Sequence, residues 1–376
     1  MANHAVLSAS ASHRWLNCPP SVRLTERIPD NGSIYAAEGS EAHELCEFKL
    51  RQLLGMEAHN PLDTPIGLRY YDGTMEDAAT GYAAFVLELL EEIRKTCSDP
   101  IVMVEQKLDY SRWVKDGYGT GDAVIVADGT LHVVDFKYGT GMLVSAEGNS
   151  QMRLYALGAL DMFGELYDID TVVTTIYQPR LASISTDTIS RIDLLDWAEN
   201  TLRPLADQAY KGEGDLNAGS WCRFCKLRNT CRKRAEANLA MAQHDFKLPP
   251  TLSDEEIAVI LDKLDDLISW AGDVKEYALN AALHGTRFHG WKLVEGRSNR
   301  RYTDEAAVAQ IVSETGRDPC EHKLLGITAM EKLLGKKQFA TLLSDLVERP
   351  QGKPVLVPAS DKRPEMTNAK NDFANN

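Results

Sequence analysis

The chain has 376 residues, 44% hydrophobic and 26% charged, with a mean hydropathy of −0.30, which fits a soluble globular protein of one large domain or two and excludes a small stapled scaffold or wholesale disorder. Its 41 Lys and Arg against 55 Asp and Glu give a net charge of −14, which excludes a general polyanion-coating protein but not a local basic patch, because charge acts within a Debye length of about 8–10 Å. No apolar run approaches the roughly 18 residues of a spanning helix and no leader opens the chain, so no membrane contact and a cytoplasmic address are expected.

In chain order, the apolar spacing predicts a helix over Ile34–Leu54, striped by Ala42, Leu45, Cys46, Leu50, Leu53 and Leu54, and a second over Met75–Lys95, striped by Tyr82, Phe85, Leu89 and Ile93. β-Branched runs at Ile101–Leu108, Gly121–Val126 and Thr130–Phe136 predict strands, with Asp128-Gly129 as a tight hairpin between the last two. A helix over Gln151–Met162, strands over Thr171–Tyr177 and Ala182–Arg191, and a helix over Leu194–Tyr210 follow, giving an α/β core in the order α-β-β-β-α-β. Beyond Cys231, helices are predicted at Asp254–Leu283, Asp304–Ser313 and Ala329–Leu346, with a strand at Phe288–Val294. The expected organisation is a segment 1–33, a core 34–215, a cysteine segment and basic helix 216–247, a mainly helical region 248–349 and an extended tail 350–376, with the main boundary near Lys247–Pro250.

The hairpin carries the chemistry. Asp122 opens one arm and Asp135 closes the other, so a turn at Asp128-Gly129 brings the two carboxylates together, with Lys137 on the same face as Asp135. Hard carboxylate oxygens suit Mg2+ or Mn2+, and a nearby ammonium can orient a water or stabilise charge on a phosphate. The competing explanation is a surface hairpin ending in a salt bridge. Gly119 and Gly121 place small residues before Asp122, where a backbone or a nucleic-acid strand can approach. Gln151 and Tyr155 share a helix face, and His43 offers a third metal ligand.

Gly39-x-x-x-His43, Gly121-Asp122, Asp135-Phe136-Lys137 and Gln151-x-x-x-Tyr155, in that order on that frame, resemble the PD-(D/E)XK nuclease superfamily in its RecB-like exonuclease branch. The resemblance implies a restriction-endonuclease-like core, a mixed sheet flanked by helices. It also implies a divalent cation held by His43, Asp122, Asp135 and the main-chain carbonyl of Phe136, a water served by Lys137, and substrate contacts from Gln151 and Tyr155. By the same analogy Glu105 is an auxiliary acid.

Three thiols, Cys222-x-x-Cys225-x5-Cys231, are one ligand short of a closed metal site, and Cys18 in a Cys-Pro turn is the expected fourth. Spacing does not separate zinc from iron-sulfur. The resemblance does, because iron-sulfur members of the branch, the AddB-type and CRISPR-adaptation exonucleases, place one cysteine before the core and three behind it around a 4Fe-4S cluster. Arg223, Lys226, Arg228, Arg232, Lys233 and Arg234 surround the three thiols, and they are either a solvated helix end or a local contact for a DNA backbone.

Ser8-Ala9-Ser10-Ala11-Ser12-x-x-Trp15, Tyr35-Ala36-Ala37-Glu38-Gly39 and Gly352-Lys353-Pro354-Val355-Leu356-Val357 also resemble an uncharacterised phage and prophage family of this superfamily, so the expectation is a metal-dependent DNA exonuclease of phage replication or recombination, acting on single strands or duplex ends in a bacterial host. A phage recombinase or annealing protein is its expected partner. Two alternatives stay open: a nuclease-fold DNA-binding or recombinase-loading protein without turnover, and a zinc-stapled RNA-processing nuclease.

Overall fold

A computed structural model describes residues 5–29, 32–242, 254–294, 305–314, 327–343 and 346–347. Five strands, β1 (Ile101–Asp109), β2 (Tyr118–Ala127), β3 (Gly129–Phe136), β4 (Ile169–Gln178) and β5 (Ser183–Ser190), form one sheet in the order β1-β2-β3-β4-β5. All neighbours are antiparallel except β3 and β4. That parallel pair needs a crossover, which α5 (Ser150–Phe163) supplies. The β2–β3 hairpin closes over two residues, Asp128 and Gly129, with Ala127 paired to Thr130 and Gly129 at φ +79°. β5 alternates Ser and Thr with larger residues and is half exposed, as an edge strand should be.

Helices cover both faces. On one lie α3 (Ile34–Leu53) and α4 (Gly73–Arg94), capped by Ser33 and Asp72, with Leu45, Leu50, Tyr82 and Val86 packed on Ala123, Ile125 and Val134. On the other lie α5, α6 (Arg191–Trp197) and α7 (Arg203–Lys211), packed on Val124, Val126, Leu131 and Val133. The predicted helix over Leu194–Tyr210 is thus two helices joined by a π turn at Ala198–Leu202.

Within β1 the alternation changes parity. Ile101 and Met103 face the α5 side, Val102 and Val104 the α3 side, yet Leu108 faces the α5 side. The switch falls at Glu105, which adopts φ +52°. A side chain held there costs about 1–3 kcal/mol and marks a place where geometry, not propensity, is dictated.

Two short helices that sequence spacing does not predict, α1 (Ser12–Asn17) and α2 (Ser21–Thr25), pack on α7. They are too short for a period to show. Trp15 is wholly buried and donates from Nε1 to the Ser8 carbonyl at 3.0 Å, while Ser12 Oγ lies 2.6 Å from Ser150 Oγ.

After α8 (Arg232–Ala242), the expected boundary at Lys247–Pro250 lies outside the described residues. The chain divides into two compact units at Ala281/Ala282, inside α9 (Asp254–Leu283). This boundary differs from the expected one for a physical reason: Asp273 of α9 pairs with Arg228 (3.2 Å) and with Arg234, and Asp266 lies 3.6 Å from Arg234, so most of α9 belongs with the cysteine segment. The second unit contains α10 (Glu305–Glu314), α11 (Ile327–Leu334) and α12 (Lys336–Leu343). Gly335, at φ +74°, splits the helix predicted over Ala329–Leu346. The strand expected at Phe288–Val294 does not form: Gly290 turns at φ +80°, Trp291 is 84% exposed, and among the described residues no strand pairs with it. The tail 350–376 lies outside the described residues. No described helix is long and apolar enough to cross a membrane.

Candidate active site

His43, in the middle of α3, reaches the sheet where β1 and β2 change face. Its Nδ1 lies 3.3 Å from Asp122 Oδ1, and its ring stands edge-on to Phe136 at 5.4 Å between centroids. The other Asp122 oxygen accepts a 2.6 Å hydrogen bond from the Phe136 amide, which locks the carboxylate between the arms of the hairpin. Glu105 completes the group. Among the described residues only His43, Glu105 and Asp122 bring three metal-ligating atoms within 4.8 Å of one another. One imidazole nitrogen and two carboxylates form a donor set that suits Mn2+ or Mg2+.

Electrostatics follow from the crowding. Burial disfavours the His43 imidazolium, but the Asp122 carboxylate beside it more than compensates, and its pKa rises to about 8. Burial, then the Asp122 charge, lifts Glu105 to about 7. Burial also opposes ionisation of Asp122, yet His43 and the Phe136 amide hold its carboxyl below the usual range.

Asp135 belongs to a second set. It is buried at the end of β3, with Lys137 Nζ 2.8 Å from Oδ2 and Gln151 Nε2 donating to Oδ1 at 3.3 Å. Gln151 also accepts from Lys137 (3.3 Å) and donates to the Tyr155 hydroxyl (3.1 Å). Asn149 caps α5 by accepting from the amides of Gln151 and Met152, fixing Gln151 in the first turn. Burial raises the Asp135 carboxyl, the Lys137 ammonium next to it notwithstanding. Lys137 stays a firm cation, because Asp135 offsets the cost of its burial.

The structure thus brings His43, Asp122, Asp135, Lys137, Gln151 and Tyr155 to one end of the sheet, with Phe136 between the two acids. It differs from the expected ligand set in one respect: Glu105 joins His43 and Asp122, whereas Asp135 is engaged by Lys137 and Gln151. The space expected at the glycines is also filled. A Cβ on Gly119 would lie 2.7 Å from the Tyr155 ring, and one on Gly121 2.9 Å from Leu108, so protein side chains occupy the gap read as room for a nucleic-acid strand.

All four expected cysteines line one cavity of about 200 Å³. Cys18, Cys222 and Cys225 are buried and Cys231 half-buried, and burial pushes the Cys222 and Cys225 thiols up. Cys46 and Cys97 are buried elsewhere, in the α3–α4 core. The basic run beside the cavity is less free than its sequence implies. Arg234 is wholly buried against Asp266 and Asp273, Arg228 is paired with Asp273, and Lys226 donates to the Ile28 carbonyl at 3.0 Å. Arg223, Lys226, Arg232 and Lys233 are exposed.

The family described as "Protein of unknown function (DUF2800)" matches residues 4–364. A solved structure described as the crystal structure of SSO0001 is similar at 16% identity over 50% of this chain and 94% of its own, with a TM-score of 0.23.

Proposed function

We propose that this chain, which belongs to the DUF2800 family of proteins of unknown function, is a divalent-metal-dependent DNA exonuclease of the PD-(D/E)XK kind. The observation that carries this reading is the meeting of a His43–Glu105–Asp122 donor set with a Lys137–Asp135–Gln151 network on one hairpin. A bound Mn2+ or Mg2+ supplies Lewis acidity to a phosphoryl oxygen and lowers the pKa of a water. His43, Glu105 and Asp122 would hold it, while Asp135 engages Lys137 and Gln151. Lys137 keeps its proton and places positive charge where a pentavalent phosphate gathers negative charge. Gln151 aligns Lys137 with Asp135, and Tyr155 aligns Gln151.

The cysteine cavity is read as the seat of a 4Fe-4S cluster. Four thiols around one cavity are a donor set for zinc or for an iron-sulfur cluster, and the order of one cysteine before the core and three behind it supports the cluster. The cluster would tie Cys18 to the end of the core and serve structure, not catalysis. Phage DNA replication or recombination is the proposed setting.

A second reading, a nuclease-fold protein that holds DNA without turnover, is favoured by the engagement of Asp135 with Lys137 and Gln151. The test is cleavage of end-labelled single- and double-stranded DNA with Mg2+ or Mn2+ by the parent chain, Asp135→Ala and Lys137→Ala. Parent-only cleavage supports the nuclease. Cleavage by both variants sinks the assignment, and Mn2+ and DNA binding without cleavage by the parent moves it to the second reading.

A further inference from the structure

An ordered row of rings leads away from the site. His43 stands on Phe136, Phe136 stacks on Tyr138 at 6.1 Å and 24°, and the Arg180 guanidinium lies over the Tyr138 ring at 4.6 Å from its centroid. Two rings, Phe136 and Tyr138, thus separate Arg180 from His43. Arg180 sits in the turn Pro179–Leu181 after β4, and the buried Gln178 before it fixes the wall: its amide donates to the carbonyls of Gly139 (2.8 Å) and Met142 (2.7 Å) and accepts from the Val144 amide (3.0 Å).

Arg180 is neutralised by a residue of α3. Its Nη1 lies 2.9 Å from Oε1 of Glu38, on α3 little more than one turn before His43, and the two side chains are 28% and 24% exposed. A stacked guanidinium keeps its planar donor fork free for an oxyanion, which is the arrangement that recognises phosphate. Glu38 is a carboxylate in the place where that oxyanion would lie. Tyr35, one turn earlier on the same face of α3, is 82% exposed and offers a π-face to a base.

We infer that Arg180 is a phosphate-binding residue for the substrate strand, stacked on Tyr138 and held in reserve by Glu38, which the incoming phosphodiester displaces. This rests on the nuclease reading of the neighbouring site. No covalent step is involved; one anion replaces another on the guanidinium.

The experiment measures binding of a fluorescent single-stranded DNA by anisotropy, with Ca2+ in place of Mg2+, across a salt series. Arg180→Ala is expected to weaken binding roughly 5–10-fold and to make the slope of log affinity against log salt shallower by about 0.7–1, the loss of one phosphate contact. Glu38→Gln is expected to tighten binding about 2–5-fold, since it removes the competing anion without removing the hydrogen-bonding shape. Tyr35→Ala is expected to weaken binding with the slope unchanged, because stacking releases no counterions. A partly exposed ion pair contributes little to stability, so both charge variants should melt close to the parent.

If the pair only braces α3, Arg180→Ala and Glu38→Gln will move affinity in the same sense or not at all while the parent still binds and cuts DNA. That result overturns the phosphate role and leaves the nuclease reading standing. A parent chain that retains no DNA at any salt overturns both.

Discussion

Glu105 and Asp122 stand opposite each other across β1 and β2, between the pairs Val104↔Ala123 and Gln106↔Gly121, and Glu105 holds φ +52° to do so. Two acids face to face in a sheet repel, and a glutamate in the left-handed region is strained, so neither propensity nor pairing chooses this residue. The proposed metal site, which uses both carboxylates, gives a reason for it. Glu105→Gly removes strain and donor together: the metal-free protein should melt higher, and Mn2+ affinity should fall about 10-fold or more, by analogy with ligand-shell losses. Calorimetric titration and thermal melting of the same sample check both. A lower melting temperature without metal would contradict the strain, and unchanged Mn2+ affinity the donor role.

Protons compete with metal here. In the folded chain Glu105 titrates at about 7 against an ordinary 4.5, and His43 at about 8 against 6.5. Both raised values mean stability that is full below the unfolded pKa and lost as pH rises, through 4.5–7 for Glu105 and 6.5–8 for His43. Metal must displace these protons, so the rise in melting temperature on adding Mn2+ should be larger at about pH 8.5 than at about pH 6. An equal or smaller shift at the higher pH would remove these two groups from the ligand set.

Gln151 touches Asp135, Lys137 and Tyr155 at once. Gln151→Ala should therefore slow cleavage by roughly 10–100-fold, the usual effect of losing an orienting partner, with little change in DNA affinity. Single-turnover rates beside anisotropy separate the two. A loss confined to affinity would make Gln151 a substrate contact instead.

Arg234 is wholly buried with Asp266 and Asp273 as its partners. Removing one side of a buried ion pair leaves the other unpaired, so Arg234→Ala should cost about 3–5 kcal/mol in urea unfolding. The double variant Arg234→Met/Asp273→Leu should recover most of that. Failure of the double variant to recover would place the loss in packing.

Protein purified without oxygen should be brown, with about four irons per chain if the cysteine cavity holds a 4Fe-4S cluster. Cys18→Ser should lose colour and iron together. A colourless parent with one zinc, or a Cys18→Ser variant with full iron content, would reassign the cavity.

The elements that were legible in the sequence share one property: each carries its own period or its own turn. The α3 and α4 stripes, the Asp128-Gly129 hairpin and the Val and Ile runs of β2 and β3 are local signals, and the structure forms them within three residues of the expected bounds. Asp122, Asp135 and Lys137 could be placed at one end of the hairpin by counting alone. What counting cannot supply is the parity switch at Glu105, since a positive φ in a β-branched neighbourhood has no sequence mark. Nor does a basic run reveal that Arg234 points inward to aspartates 32 and 39 positions later. Phe288–Val294 failed for the opposite reason. Its composition suits a strand, but a strand is made by its neighbour.

The burial of Trp15 against helices formed far downstream sets a timetable. α1 leaves the ribosome almost two hundred residues ahead of α7, which covers it. At about 5–20 residues per second, that is a wait on the order of 10–40 s, during which α1 can meet α5 through Ser12–Ser150 but the face that packs on α7 stays open. Docking of the amino-terminal segment is therefore completed only once α7 has emerged. A chaperone site, or an antibody raised to residues 7–18, should recognise nascent chains halted before α7 and lose them once α7 has emerged.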